Sequence, residues 1–282
     1  MSTTDPAPPA PREPRTAQAR ETYSHGHHRS VLAAHARRTA ETSAAYLLPH
    51  LRPTDLLLDV GAGPGTITAD LAGRVAQVVG LDPAPAAVAA ARELVATRGL
   101  TNVRIEVGDV YALDARDDAY DVVHAHQVLQ HLADPVAALR EMRRVCRPGG
   151  LVAVRDADYA TMTWFPETPA LERWLALYET LARRNGGEPD AGRRLKAWAL
   201  EAGFTEVVAT GSVWCYASPE DLAWWTQTWA ERLTASSFAT SALAQGLADR
   251  PELERLAEGW RAFGEDPRAW FLVPHGEVLA VA

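Results

Sequence analysis

From residue 56 onward the chain alternates short apolar runs with amphipathic stretches. Leu56-Leu57-Leu58 leads a strand through Val60, and Thr66–Ala72 has helix-like sequence. A second run, Gln77–Leu81, ends in Asp82-Pro83, and Pro85–Arg98 carries Val88, Ala91, Leu94 and Val95 on one helical face. Val103–Val107 and Tyr120–His124 read as the third and fourth strands. Asp134 caps a helix to about Cys146, Arg147-Pro148-Gly149-Gly150 is a stop and turn, and Leu151–Val154 is the fifth strand. Strands and helices alternating at this rhythm predict a parallel sheet with helices on both faces.

The flanks have a different character. Residues 1–18 are rich in proline and are expected to form a disordered arm. Residues 19–50 are expected to form a helical cap, with Ser30 as N-cap and a helix to about Leu48, closed by Pro49 and Pro53. All nine tryptophans and all five phenylalanines lie beyond residue 157. There, 170–184 reads as an amphipathic helix, Asp190–Ala202 as another, and Phe204–Val208 leads into a sixth strand reaching Tyr216. Ser218 starts a long helical region to about Gly264, and Phe271–Val281 is a closing strand.

Composition narrows the function classes. The formal charge of -8 disfavours a broad nucleic-acid or anionic-membrane surface. Two cysteines, Cys146 and Cys215, are too few for a disulfide framework or a cysteine-built zinc site, and no metal is expected. No apolar run is long enough to span a membrane, and the N-terminus has no secretory h-region, so a cytoplasmic enzyme is expected.

In an open parallel sheet the ligand sits at the carboxyl ends of the strands. Four of those ends carry suggestive residues. The first is the turn Gly61-Ala62-Gly63-Pro64-Gly65, preceded by Asp59. At the second, the Asp82 carboxylate is placed to accept both hydroxyls of a ribose. At the third, Gly108-Asp109-Val110 suits the amino group and ring of an adenine. The fourth is the run from His126 and Gln127 to His131 and Leu132. A nicotinamide dinucleotide would use the spacing G-x-G-x-x-G, whereas this chain has G-x-G-x-G. An acidic residue beside the turn suits a cationic amino group better than a pyrophosphate. A dehydrogenase is therefore disfavoured.

Leu58-Asp59-Val60-Gly61-Ala62-Gly63-Pro64-Gly65-Thr66, Gly80-Leu81-Asp82-Pro83, Val107-Gly108-Asp109-Val110, Val128-Leu129-Gln130-His131-Leu132 and Arg147-Pro148-Gly149-Gly150 follow one another in order. Together they resemble class I S-adenosylmethionine-dependent methyltransferases, in particular the small-molecule type that includes ubiquinone and menaquinone biosynthesis. The resemblance covers roughly residues 50–157. It implies a Rossmann-like, seven-stranded, mostly parallel α/β sheet, with the closing strand between strands five and six. It implies S-adenosylmethionine as cofactor. Tyr23, Asp59, Gly61, Ala62, Gly63, Asp82, Pro83, Gly108, Asp109, Val110, His126 and Gln127 are the expected cofactor residues. Gly61 and Gly63 would hold the methionine part, Asp82 the ribose, and Asp109 and Val110 the adenine, with His126 and Gln127 as the floor under the sulfonium.

Residues 51–157 are thus expected to form the cofactor-binding core. Residues 158–282 would complete the sheet and add insertions at about 158–189 and 218–268, which fall outside the family pattern and are expected to form a substrate lid. His25, His28 and Asp158 are candidate proton acceptors, because an imidazole or carboxylate there could take a proton from a nucleophile. His27, His131, Tyr159, Trp164 and Trp224 are candidate substrate contacts; Trp225 and Trp229, at helical spacing with Leu222 and Leu233, are expected in the core. The plain alternatives are solvated imidazoles at a helix start for the histidine cluster and a loop cap for Asp158. The expected activity is methyl transfer to a small, largely apolar or aromatic molecule by a monomer or homodimer. The competing class is a non-methylating enzyme or partner-binding module on the same fold.

Overall fold

The computed structural model describes residues 37–282. The expectations for the arm, Ser30, Tyr23, His25, His27 and His28 lie outside them. Five strands run parallel: β1 (Leu56–Val60), β2 (Gln77–Asp82), β3 (Val103–Val107), β4 (Tyr120–His126) and β5 (Cys146–Ala157). β6 (Thr163–Phe165), β7 (Glu206–Tyr216) and β8 (Trp270–Val281) complete the sheet, in the order β3-β2-β1-β4-β5-β8-β6, with β7 on the other side of β8. β8 is antiparallel to β5, β6 and β7, so the closing strand lies between the fifth strand and β7 as expected. The chain reverses its direction of sheet growth between β1 and β4, and the ends of those two strands meet at the switch point.

The helices are α1 (Ala40–Ser43), α2 (Thr66–Leu71), α3 (Pro85–Thr97), α4 (Pro135–Val145), α5 (Pro169–Arg184), α6 (Leu195–Glu201), α7 (Pro219–Ala235), α8 (Ser237–Ala244) and α9 (Arg250–Glu265). Local signals set several starts. Asp134, Ser218 and Asp249 each accept a backbone N–H of the first turn, and a proline opens each of those helices.

Side chains from β1, β4, β5 and β8 alternate between two faces. Leu58, Val60, Val123, Val152, Val154 and Val278 pack with Leu139 and Met142 of α4 and Leu195 and Ala199 of α6. The opposite face buries Leu57, Val122 and Ala153 under Ala40, Ala44 and Leu47. A third core gathers Trp174, Tyr178, Trp229, Phe238, Trp260 and Phe271 from α5, α7, α8, α9 and β8. The two helical insertions therefore pack on each other around one aromatic cluster. Trp174 lies edge-on to Trp229 at 4.4 Å and to Trp260 at 4.8 Å.

Three elements differ from the sequence pattern. β6 is an eighth strand; it is too short to show alternation, and it pairs the part of β8 that β5 does not reach. The helix predicted to about Leu48 is, in its described part, a single turn at α1 with Thr39 as cap, followed by a 3-10 turn at Leu48–His50 that lays Leu47 onto the sheet. The helix predicted over Asp190–Ala202 begins as a 3-10 turn at Gly192–Arg194, where the Arg193 N–H donates to Asp158. Among the described residues no helix is long and apolar enough to cross a membrane.

Trp174 is fully buried at the centre of the third core. Trp174→Ala should lower unfolding free energy by about 3–5 kcal/mol in urea denaturation. A loss under about 1 kcal/mol would show that the helical layer is not cooperative with the sheet.

Candidate active site at the strand carboxyl ends

The turn after β1 is built from bare backbone. Gly61 and Gly65 have φ of 72° and 83°, in the left-handed region that favours glycine. A Cβ on Gly61 would lie 2.3 Å from Cγ2 of Val128, and one on Gly65 would lie 2.8 Å from the Ala91 Cβ of α3. The first glycine therefore admits the loop after β4, and the third admits a helix. The N–H groups of Gly61 and Ala62 both donate to the Leu81 carbonyl, at 2.7 and 2.9 Å. Asp82 is buried and closes the turn, with Oδ2 accepting from Gly63 N–H and Oδ1 from Ala84 N–H, each at 2.9 Å. Pro83 beside it is exposed. Gly108 N–H donates to the Asp82 carbonyl, which places Asp109 and Val110 next to the end of β2. Asp109 is exposed and accepts from Tyr111 N–H, whereas Val110 is buried.

Asp59 points into the face that α1 covers. Its carboxylate accepts from Thr68 Oγ1 of α2 and pairs with His124 Nδ1 of β4 at 2.7 Å. The carboxylate thus braces the elements beneath the turn. Two residues further along β4, on the same face, His126 ends the strand. Its ring is buried near Trp214 (5.5 Å between centroids) and His275 (6.1 Å), and among the described residues neither of its nitrogens has a hydrogen-bond partner. Burial, followed by the charges of Arg155 and Arg38, holds its pKa well below the usual imidazole value.

Gln127 follows with φ of 53° and joins three elements. Arg38 Nη2 donates to its Oε1 at 2.6 Å, and its Nε2 donates to His275 Nε2 at 2.8 Å. His275 Nδ1–H in turn donates to the Val273 carbonyl, which fixes the neutral tautomer. Beneath this chain lies a buried ion pair, Arg155–Glu277 at 3.2 Å, completed by Ser212 and Thr210 of β7. On the opposite face Asp156 is fully buried, with Oδ1 accepting from Gln130 N–H; burial raises its carboxyl to about 7.

Arg38, Asp156, Trp214 and His275 gain their place only through the fold. The alternation of His275 and Glu277 in an apolar strand was a signal for polar groups on one sheet face.

Several expected contacts lie elsewhere. Asp158 is held by Arg193, whose Nε, Nη2 and backbone N–H all donate to it; both carboxylate oxygens are occupied, which argues against a proton acceptor and for an anchor of the 3-10 turn. Tyr159 is buried and stacks on Tyr178 at 4.0 Å, inside the helical layer. Trp164 stacks on Phe271 at 5.6 Å, because β6 brings it against the third core. Trp224 packs beside Tyr216 under the Arg37 guanidinium, at the edge of that layer. His131 bonds Gln130, and burial lowers its imidazole to about 3.

The family described as Methyltransferase domain matches residues 53–212, more than half of the chain. The chain belongs to that family. It is an S-adenosylmethionine-dependent methyltransferase. An uncharacterized methyltransferase of Schizosaccharomyces pombe is 33% identical over 269 residues, 91% of this chain and 95% of that protein. A demethylmenaquinone methyltransferase of Beutenbergia cavernae is 33% identical over 141 residues, 50% of this chain and 56% of that enzyme. The YcgJ protein of Bacillus subtilis shares the fold with a TM-score of 0.56 at 18% identity, over 90% of this chain and 98% of that one.

The methyltransferase's turn fits its cofactor. Gly61, Gly63 and Gly65 all hold bare backbone at positive φ, and the buried Asp82 carboxylate lies beside them at the end of β2.

Asp156 makes stability depend on pH. Its folded value of about 7 exceeds the ordinary carboxylate value, so the folded state holds a proton that the unfolded state has lost, and stability falls as pH rises from about 4 to about 7. Asp156→Asn removes this. In denaturant titrations at pH 5 and pH 8, the wild type should lose about 2–3 kcal/mol more than the variant. Equal losses would show that the carboxyl titrates normally.

Proposed function

We propose that this methyltransferase transfers the methyl group of S-adenosylmethionine to a small, largely apolar or aromatic molecule. The observation that carries this reading is the aromatic rim at the strand carboxyl ends. Trp214 stands against His126 and His275, and Tyr216 follows it two residues further along β7. One relative is named for demethylmenaquinone, which agrees with an apolar acceptor.

In this reading the backbone at Gly61, Ala62 and Gly63 holds the methionine part of the cofactor. Asp82 takes the ribose hydroxyls, and Asp109 and Val110 take the adenine, with Gly108 and Pro83 shaping the turns between them. Asp59 acts from below, through Thr68 and His124. When bound, the cofactor supplies an electrophilic methyl group. The chain's own contribution is alignment of the acceptor and exclusion of water by the helical layer over residues 158–189 and 218–268. Arg37, which meets Asp221 at 3.3 Å and Glu220 at 3.7 Å, ties the segment before α1 to the start of α7. Trp214 Nε1 donates to the Thr42 carbonyl and ties α1 itself to β7.

Two measurements test this. Asp82→Ala should raise the calorimetric dissociation constant for S-adenosylmethionine by about ten- to a hundredfold, the loss of charge-assisted hydrogen bonds. Asp82→Asn, which keeps one acceptor oxygen, should fall between. Unchanged affinity in Asp82→Ala would remove the ribose assignment. A mass-spectrometric screen of aromatic and isoprenoid acceptors should show methylated product together with S-adenosylhomocysteine. Turnover confined to protein or nucleic-acid substrates would overturn the acceptor class.

A further inference from the structure

His126 is an anomaly among the buried imidazoles. His124 pairs with Asp59, His275 uses both nitrogens, and His131 bonds Gln130. His126 is 6% exposed, and among the described residues neither ring nitrogen has a hydrogen-bond partner. Leaving a buried polar group unsatisfied costs about 1–3 kcal/mol. Packing alone does not account for it, because a leucine or phenylalanine would fill the space between Trp214 and His275 without that cost. A buried polar group without a partner calls for an explanation, and a ligand is one.

The register says where such a ligand would be. Val60 of β1 lies opposite Ala125 of β4, so Gly61 and His126 are the next residues along two adjacent strands, which run about 4.8 Å apart. Two residues later, Val128 rests on the bare backbone of Gly61. His126 therefore borders the part of the turn that receives the methionine end of the cofactor, and it shares its side of the sheet with the aromatic Trp214.

We propose that His126 is the proton acceptor of the methyl-transfer step, and that the methyl acceptor attacks through an atom that carries a proton, a hydroxyl or an N–H. This rests on the methyltransferase reading and extends it to the class of nucleophile. A lone pair of the acceptor's oxygen or nitrogen forms the bond to the methyl carbon. The carbon–sulfur bond breaks with its electron pair passing to sulfur, and the O–H or N–H proton passes to a ring nitrogen of His126.

The charges around the ring fit this role. Arg155 on β5, Arg38 before α1, His275 on β8 and His124 on β4 all disfavour a proton on His126, and with burial they keep it neutral and ready to accept. A sulfonium nearby strengthens that effect before the reaction. The step turns the sulfonium into a neutral thioether, so the site loses one positive charge as the imidazole gains one. Net charge in the buried site is unchanged across the step. The low basicity of the free imidazole therefore applies least at the moment the proton moves.

The test begins with binding. Histidine-selective carbon–proton spectra of the full chain are recorded saturated with S-adenosylmethionine and then with S-adenosylhomocysteine. The Cε1–H signal that disappears in His126→Gln should shift between the two complexes, because only one carries the sulfonium charge. Coincident signals overturn the placement. In calorimetry, His126→Gln and His126→Asn should bind S-adenosylhomocysteine within about threefold of wild type. A loss of about tenfold or more in both, with native circular dichroism, would make His126 a cofactor anchor and overturn the proton role.

With an acceptor from the screen, single-turnover rates in both variants at pH 7 should fall by about 10²–10⁴-fold and then rise with pH as the acceptor ionises by itself. A rate within about threefold of wild type, with the same pH profile, overturns the assignment. If the wild type binds neither cofactor form, the cofactor reading fails before His126 is questioned.

Discussion

A carboxylate with almost no access to water has to be answered by its neighbours, and Asp59 is answered from two directions. Thr68 reaches it from α2 and His124 from β4. Removing either partner would leave a buried charge short of a bond, at a cost of several kcal/mol. The pairing fixes β1 against β4 at the switch point, and with them the helix that starts at Gly65. That alignment places the glycine backbone, the Val128 loop on top of it, and His126 alongside. Asp82 then repeats the device one strand over, closing the turn through two backbone N–H groups.

Much of the core was legible in the sequence because strand and helix periods differ and the strand ends carry distinctive residues. β1 to β4 and α2 to α4 fall close to their expected ranges, and the closing strand lies between β5 and β7. The signal failed where order is imposed from a distance. β6 exists because β8 outruns β5, and the 3-10 turn at Gly192 exists because Arg193 is drawn to Asp158, 35 positions away in sequence. The same limit applies to the site. Gln127 and His275 are 148 positions apart, and only the sheet register makes them neighbours.

The aromatic residues of the second half show why composition alone misassigns roles. Trp164 and Trp224 looked like substrate contacts because they stand off regular helical stripes, and Tyr159 because it follows the fifth strand. The stripe argument tests a helix against one partner surface, whereas the helical layer packs from several directions. Tyr159 finds Tyr178 and Trp164 finds Phe271 within that layer. Trp214, on a strand with a mostly exposed pattern, is the tryptophan that meets His126.

The neutral imidazoles also set how the folded chain meets acid. His126, His131 and His275 are all held below the ordinary value by burial, so each gains a proton only on unfolding. Asp156 works in the opposite direction, since its folded carboxyl already carries a proton below about 7. Near pH 5 the balance is an uptake of about two protons on unfolding, so acid pulls the fold apart. Above neutrality the histidines contribute nothing further, and the buried Asp156 charge is the cost that remains. Taken together, these four buried groups contribute most to stability in the neighbourhood of neutral pH.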